Sequence, residues 1–586
     1  MEKHYTKERN AQIVLALLKA RGIRKFVASP GTTNIAIVGS VQNDPFFEVY
    51  SSVDERSAAY LACGLAAESN EPVVLTCTGA TASRNYMSGL TEAYYRKLPI
   101  IALTSAQNIC RSGHLYPQFV DRTEQPKDIV KYSVQLPVIS TSEDEWDCIV
   151  KTNNALLELK RHGGGPVHIN LVTAGELTDF SVKELPNVRV INRIISKKDF
   201  PVLPSGKIAL FIGSHRSFSE EQNRVVDDFC ASNNAVVFCD HTSGYKGKYR
   251  VLYSLVASQS IKDENIAPDL LIHMGEISGD YLTTAKIRSA KEVWRISEDG
   301  EIRDYFHKLK YVFEMPEFEF FSYYTNREIT EKKDDYLISC KDLYSKMYVS
   351  LPELPFSNIW MASQLASHLP ENTTLHLGIL NSLRAWNYFE IPKSVTSFCN
   401  VGGFGIDGGV SAMIGASFCN PSKLYFGVFG DLAFFYDMNV LGNRHIGKNL
   451  RILLVNNGKG TEFRNYTHPG SKFGDDADKY IAAGGHFGNK SSHLVKHYAE
   501  NLGFEYITAS NKDEFNAVYE HFINPSIGDH SIIFEVFTTN EDESEALKRI
   551  NNIEVDQFVK IKSDLKSFVR NNISNDLIQA VKKVIK

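Results

Sequence analysis

The 586-residue chain is 43% hydrophobic and 23% charged, the balance of an α/β protein of about three domains with ample material for buried cores. Its 64 basic and 69 acidic residues give a net charge of −5 without a strong block of either sign, which excludes the electrostatic footprint of nucleic-acid binding. No apolar run reaches ~18 residues and the polar start MEKHYTKERNAQ is unlike a signal peptide, so no membrane span or secretion is expected. Nine cysteines without a CxxC pair read as reduced thiols of a cytoplasmic protein.

In chain order, residues 11–20 read as an amphipathic helix. Residues 25–28 read as a short strand entering Ser29–Pro30–Gly31–Thr32–Thr33–Asn34, a strand, glycine turn and helix junction of the kind where ligands collect. PFFEVYSSVDERSAAYLACGLAAESN gives a strand and then a helix rich in small residues. Either Asp54 or Glu55 is suited to cap that helix. EPVVLTCTGATASRNYMSGLTEAYYRKLPIIALTS holds a strand, a Thr-Gly-Ala-Thr turn, a helix and another strand, and residues 163–171 close a first domain over 1–185.

After a linker, apolar runs at 207–213, 235–238, 269–275 and 293–296 begin a second α/β pattern within 186–335. IGSHRS and MGEISGD lack the GxGxxG spacing of a nucleotide turn, so this domain reads as structural. The aromatic run 313–324 is expected to be an edge element packing between domains, and NREITEKKDDY an exposed connection. The last domain, 336–586, opens with a helix near 359–369 and a strand at 374–377. It ends in a basic amphipathic tail containing Ile561, Leu565, Phe568 and Val569, which is expected to pack on its own domain rather than lie on a membrane.

Within that domain, 424–429 and 452–455 read as buried parallel strands joined by a helical crossover of about three turns. Ligands bind at the carboxyl ends of such strands, which brings Gly430–Asp431 and Asn456–Asn457–Gly458 to one edge. Each segment alone is an ordinary turn. Together, a carboxylate and an amide oxygen form a ligand set for Mg²⁺ or Ca²⁺ that leaves room for phosphate and water.

SPGTTN, VDERSAAYLACGLA, LTCTGATASRNYMSGLTEAYYRKLPIIALTS and GGGPVHINL together resemble the pyrimidine-binding domain of thiamine diphosphate enzymes in the pyruvate decarboxylase and acetolactate synthase group. NSLR, NVGGFGIDGGVSA, GDLAFFYDMN and VNNGKG extend the resemblance into the last third. The nearest pattern is that of the menaquinone-pathway synthases, which share Leu432 where the group's motif has glycine.

The resemblance implies an α/β fold of three doubly wound parallel-sheet domains, for pyrimidine, centre and diphosphate. It implies thiamine diphosphate and Mg²⁺ as cofactors and a homodimer or homotetramer whose site joins two subunits. Asp431, Asn457 and the Lys459 carbonyl would hold the metal. Gly430, Leu432, Ala433, Gly460 and Thr461, with Asn381 and Ser382, would surround the diphosphate. Ile406, beside Phe404 and Gly405, would wedge the cofactor rings into a bent form. At the pyrimidine end the resemblance places Pro30, Gly31, Thr32, Thr78 and Asn85. Glu55 would stand beside N1′ of the aminopyrimidine, sharing a proton from a water-poor setting. Gln118 would lie beside the bound intermediate, and His114 is a candidate proton shuttle.

The menaquinone-pathway synthases carry Ser-Arg where this chain has Thr32–Thr33, and an arginine where it has Val401. Such arginines clamp dicarboxylates bidentately. Their loss leaves Arg84, Arg111 and Arg384 as possible replacements and points to a different carboligation, with a small 2-oxo acid as donor and a carbonyl compound as acceptor. Simple decarboxylation, the menaquinone-pathway reaction, a flavin- or quinone-coupled oxidase of the same fold and a non-catalytic cofactor-binding subunit remain the alternatives.

Overall fold

The computed structural model of the protein describes residues 4–554 except 108, 176, 261–265, 326–333 and 488–489. The basic C-terminal tail and most of the charged connection therefore lie outside the described residues. Two compact units divide the chain. One takes the residues through Phe200 together with Glu298–Met315, the other Pro201–Ser297 and the chain from Pro316 onward. The central segment 186–335, expected as one domain, is shared between them.

The first unit is built on β1 (Lys25–Ala28), β2 (Glu48–Ser51), β3 (Val73–Cys77), β4 (Ile100–Gln107), β5 (Tyr132–Leu136) and β6 (Val167–Thr173). They form an all-parallel sheet in the order β2-β1-β3-β4-β6-β5. VVLTC and VHINLVT are buried at every position, because parallel strands covered by helices on both faces have no solvent side. The helix Ser142–Glu158 starts on a capping box between Thr141 and Asp144, and the helix Arg9–Ala20 packs beside it. Outside this sheet, the unit also contains the parallel pair β7 (Asn192–Ile194) and, from its later segment, a strand at Leu309–Phe313.

The second unit begins with β8 (Ile208–Ile212), β9 (Ala235–Cys239), β10 (Arg250–Leu252), β11 (Leu270–Met274) and β12 (Glu292–Ile296), parallel in the order β10-β9-β8-β11-β12. The Leu309–Phe313 strand of the first unit is β13. The aromatic run turns out to be no edge element. Past β13 it forms the helix Glu317–Tyr324, whose Phe320 and Phe321 are buried against Phe229. Phe320 and Tyr324 also meet Trp294 of β12, so the aromatic face covers this sheet.

The last sheet joins β14 (Thr374–Leu377), β15 (Thr396–Cys399), β16 (Tyr425–Gly430), β17 (Leu450–Asn456), β18 (Glu505–Ala509) and β19 (Ile532–Phe537). Its order, β15-β14-β16-β17-β19-β18, repeats the winding of the first sheet strand for strand. In each sheet the chain leaves its first strand toward one edge and returns on the other side with its third. That places a topological switch point at the carboxyl ends of β1 and β3, and another at those of β14 and β16. Six of the nine cysteines are buried. No helix among the described residues is long and apolar enough to cross a membrane.

Candidate active site

At the switch point of the last sheet, the end of β14, the turn after β16 and the turn after β17 enclose a cavity of about 160 Å³. Asn381, Ser382, Ile406, Gly430, Asp431, Leu432, Ala433, Asn457, Lys459, Gly460 and Thr461 line it, as the sequence reading grouped them. Phe404 and Gly405, expected beside Ile406, are not among the lining residues. The crossover from β16 has the expected length of about three turns, but only its first part is α-helical: a helix over Asp431–Asp437 passes into a 3₁₀ segment at Met438–Gly442. Leu380, which precedes Asn381 in the lining, holds φ 67° and ψ −111°, a backbone state that a leucine rarely adopts and that functional sites retain.

Asp431 is 4% exposed. Its Oδ1 accepts the Leu432 N–H at 2.7 Å and its Oδ2 the Gly458 N–H at 2.6 Å. Burial pushes its carboxyl up to about 6 against the opposing pull of these amides. A desolvated carboxylate of this kind is relieved by a cation. Three further polar atoms of the lining are sealed from solvent and have no hydrogen-bond partner, namely Asn457 Oδ1, Asn358 Oδ1 and Thr461 Oγ1. Buried polar atoms are nearly always paired, so their clustering in one cavity marks the place of a polar ligand.

Hard oxygens from one carboxylate and one amide suit Mg²⁺ with a diphosphate, so the residues fit the group that the sequence implies. Among the described residues no set of three His, Cys, Asp or Glu side chains could hold a metal in its place. The Lys459 carbonyl accepts the Thr461 N–H at 2.9 Å and keeps a second lone pair, while its Nζ is tied to Asp478 at 2.6 Å. Sequence reasoning missed Asn358 and Glu543, which also line the cavity. Glu543 is 8% exposed, and burial raises its carboxyl to about 7 although it accepts from the Asn358 N–H and Thr538 Oγ1. Neither residue stands in a motif.

Arg384, one of the possible replacements for the lost clamp, is engaged within the protein. It makes a bidentate pair with Glu462, at 2.9 and 3.0 Å, and its Nη1 also donates to Asn381 Oδ1 at 3.2 Å. Val401 is buried.

At the switch point of the first sheet, Gly31 follows β1 and Thr78 follows β3. A Cβ on Gly31 would run into Thr78, so the two turns approach as closely as only glycine permits. Thr33 Oγ1 meets Thr78 Oγ1 and accepts the Gly79 N–H at 3.2 Å. Pro30 and Thr32 stand exposed on the same turn. The two acids of VDER divide their roles. Asp54 caps the helix Glu55–Ser69 by accepting the Arg56 N–H at 3.0 Å, which releases Glu55 from that duty. Glu55 is half-buried, and Asn85 Nδ2 donates to its Oε2 at 3.3 Å. His114 and Gln118 lie on an exposed loop, Gln118 at φ 71°. Arg111 stacks over Tyr116 and Phe119 on the same loop.

A family model described as thiamine pyrophosphate enzyme, N-terminal TPP binding domain, matches residues 9–125. The 2-succinyl-5-enolpyruvyl-6-hydroxy-3-cyclohexene-1-carboxylate synthase of Bacteroides fragilis is 32% identical over 567 residues, covering 93% of this chain and 98% of the relative. That of Bacteroides thetaiotaomicron is 32% identical over 560 residues, with the same coverage. The Flavobacterium johnsoniae synthase is 26% identical over 565 residues, covering 93% of this chain and 99% of its own. With motifs, winding and cavity in agreement with these likenesses, the chain belongs to the family of thiamine diphosphate enzymes that contains these synthases.

Proposed function

We propose that the protein decarboxylates a small 2-oxo acid and transfers the acyl unit to a carbonyl acceptor, using thiamine diphosphate and Mg²⁺. The observation that carries this reading is the orphaned Asn457 Oδ1 beside the buried Asp431 carboxylate, two oxygens left open for one hard cation. Asp431, Asn457 and the Lys459 carbonyl would hold the metal, and Thr461 Oγ1 and Ser382 offer hydroxyls to the diphosphate. When bound, thiamine diphosphate supplies a carbon nucleophile and an electron sink for the loss of CO₂. The chain's own part is to hold a proton on the Glu55 carboxyl, to orient that carboxyl through Asn85, and to exclude water around the reacting carbon.

Homodimerisation supports the last of these tasks. Val53, 79% exposed, stands two residues before the half-buried Glu55. A second copy seated there would keep water from the carboxyl. The relatives' names favour a second reading, synthesis of 2-succinyl-5-enolpyruvyl-6-hydroxy-3-cyclohexene-1-carboxylate. Thr33 and Val401 in place of arginines, and the Arg384–Glu462 pair, weigh against it by leaving the substrate region less cationic.

The test is CO₂ release from ¹³C-labelled pyruvate and 2-oxoglutarate, with and without carbonyl acceptors, followed by mass spectrometry of products. Turnover of pyruvate into a ligated product is the expected result. Turnover of 2-oxoglutarate with isochorismate would establish the second reading, acetaldehyde alone a plain decarboxylase, and no CO₂ from any 2-oxo acid would sink the proposal.

A further inference from the structure

Arg122 is a buried cation for which neither the fold nor the chemistry above has a use. It is 5% exposed, its Nε and Nη1 are sealed from solvent, and neither finds an acceptor. Among the described residues no carboxylate pairs with it. Asp121, the acid that acts on it electrostatically, faces solvent and accepts the Thr123 N–H at 2.9 Å. The other charge nearby is Arg84, of the same sign. Desolvation, with Arg84 adding to it, holds the guanidinium below its usual range. His168 supplies no counter-charge either. Both of its ring nitrogens are engaged, by Thr104 and Ser133 hydroxyls at 2.9 and 2.8 Å, and burial keeps the ring neutral.

The position of this cation is specific. A Cβ on Gly79 would collide with Arg122 Nη1, so the turn after β3 gives up its side chain to admit the guanidinium. That turn places Thr78 against Thr33, and the short helix after it carries Asn85 to Glu55. Ala80, between them, is held at φ 60° and ψ −140°, a strained state for alanine. A site that needed only to be filled would be better served by an apolar side chain, because an unpaired buried charge is costly.

We propose that Arg122 is the receptor for a substrate carboxylate in the pyrimidine half-site, its planar fork taking the place of the arginines absent at Thr33 and Val401. This inference rests on the 2-oxo acid reading above. The carboxylate belongs to the donor or to an acidic acceptor, and either would satisfy the two sealed N–H groups with charge-assisted bonds.

The test compares full-length wild type, Arg122→Met and Arg122→Lys, loaded with thiamine diphosphate and Mg²⁺. Arg122→Met should raise the KM of the carboxylate substrate about 10- to 100-fold, with cofactor affinity unchanged within about twofold. It should melt no lower than wild type, since an unpaired charge leaves the interior. Arg122→Lys should fall between, keeping the charge and losing the fork. Separate KM values for donor and acceptor identify which carboxylate is held. A lower melting point with unchanged KM would make Arg122 structural and overturn the inference. If wild type releases no CO₂ from any 2-oxo acid, the functional reading fails on its own, and calorimetric titration with oxalate decides for Arg122. Binding lost in Arg122→Met sustains the carboxylate receptor, and equal or absent binding in both proteins overturns it.

Discussion

Replacing Arg384 separates a substrate clamp from a scaffold for the diphosphate cavity. Its guanidinium gives Glu462 two charge-assisted bonds, at 2.9 and 3.0 Å, with the two side chains 22% and 20% exposed. Arg384→Met leaves the Glu462 carboxylate with one donor, Asn465 Nδ2 at 3.1 Å, and takes from Asn381 one of its two holds. At about 1.5 kcal/mol for each bond to a charged group, the variant should lose about 3 kcal/mol of stability. Because Glu462 and Asn381 line the cavity, a share near 1.4 kcal/mol should appear as about tenfold weaker binding of thiamine diphosphate. Adding Glu462→Gln should restore part of both losses, since the stranded charge is then gone. The assays are calorimetric titration with cofactor and Mg²⁺, thermal inactivation, and donor KM at saturating cofactor, which should stay within about twofold. A tenfold rise in donor KM with cofactor affinity and inactivation temperature unchanged would refute the scaffold role and restore the clamp.

Asp431→Ala should abolish Mg²⁺-dependent binding of thiamine diphosphate, and a calorimetric titration with unchanged affinity would remove the metal assignment. Glu55→Gln should keep cofactor binding within about tenfold while slowing exchange of the cofactor's C2 proton by about 10² or more, read by NMR; normal exchange would mean that another acid serves. Burial holds the His168 ring down to about 3, below the 6.5 of an unperturbed imidazole. The stability tied to its neutrality is therefore complete above pH 6.5 and lost as the pH falls toward 3, by about 1.4 kcal/mol per pH unit. Ring-labelled protein should show this histidine untitrated at pH 5 by NMR, and a midpoint near 6.5 would contradict the burial account.

Strands buried on both faces were the easiest elements to read, because the runs VVL, IALFI and ILLV within them are apolar without alternation and lead into turns that carry glycine or asparagine. The candidate metal site could be proposed from the sequence for the same reason, since Asp431 and Asn457 sit one crossover apart at two such strand ends. The aromatic run was misread because its content suggested an edge. Its burial at Phe320 and Phe321 depends on Trp294 and Phe229, partners contributed by distant segments. The pairing of Arg384 was illegible for a related cause. An arginine offers five donors wherever it stands, and the carboxylate that occupies Arg384 lies 78 residues further along the chain. Arg122 was passed over entirely, because VDRTEQ carries no motif and its burial is a tertiary fact.

What distinguishes Arg122 from the other buried arginines is where their donors go. Arg451 places its Nη1 and Nη2 on carbonyls of Lys448, Leu450 and Ser526, and the half-buried Arg21 its Nη2 on Asn153 and Ile191. Each satisfies the fold with those bonds, even with one Nε left over. The same contrast divides neighbouring asparagines. Asn456 gives its amide to Glu535 and accepts the Gly458 N–H, whereas the Asn457 oxygen, one residue on, has no partner. Desolvation without a bond is a cost that folding alone does not reward. In each unit some of the groups that bear it lie at the carboxyl ends of the switch-point strands or against the turns beside them. There a charged ligand would supply the missing partner: a cation with its diphosphate for Asn457 and Asp431, a carboxylate for Arg122. The repeated winding of the two sheets thus presents two unsatisfied edges of opposite chemical demand, which is what a cofactor and a substrate anion require of one enzyme.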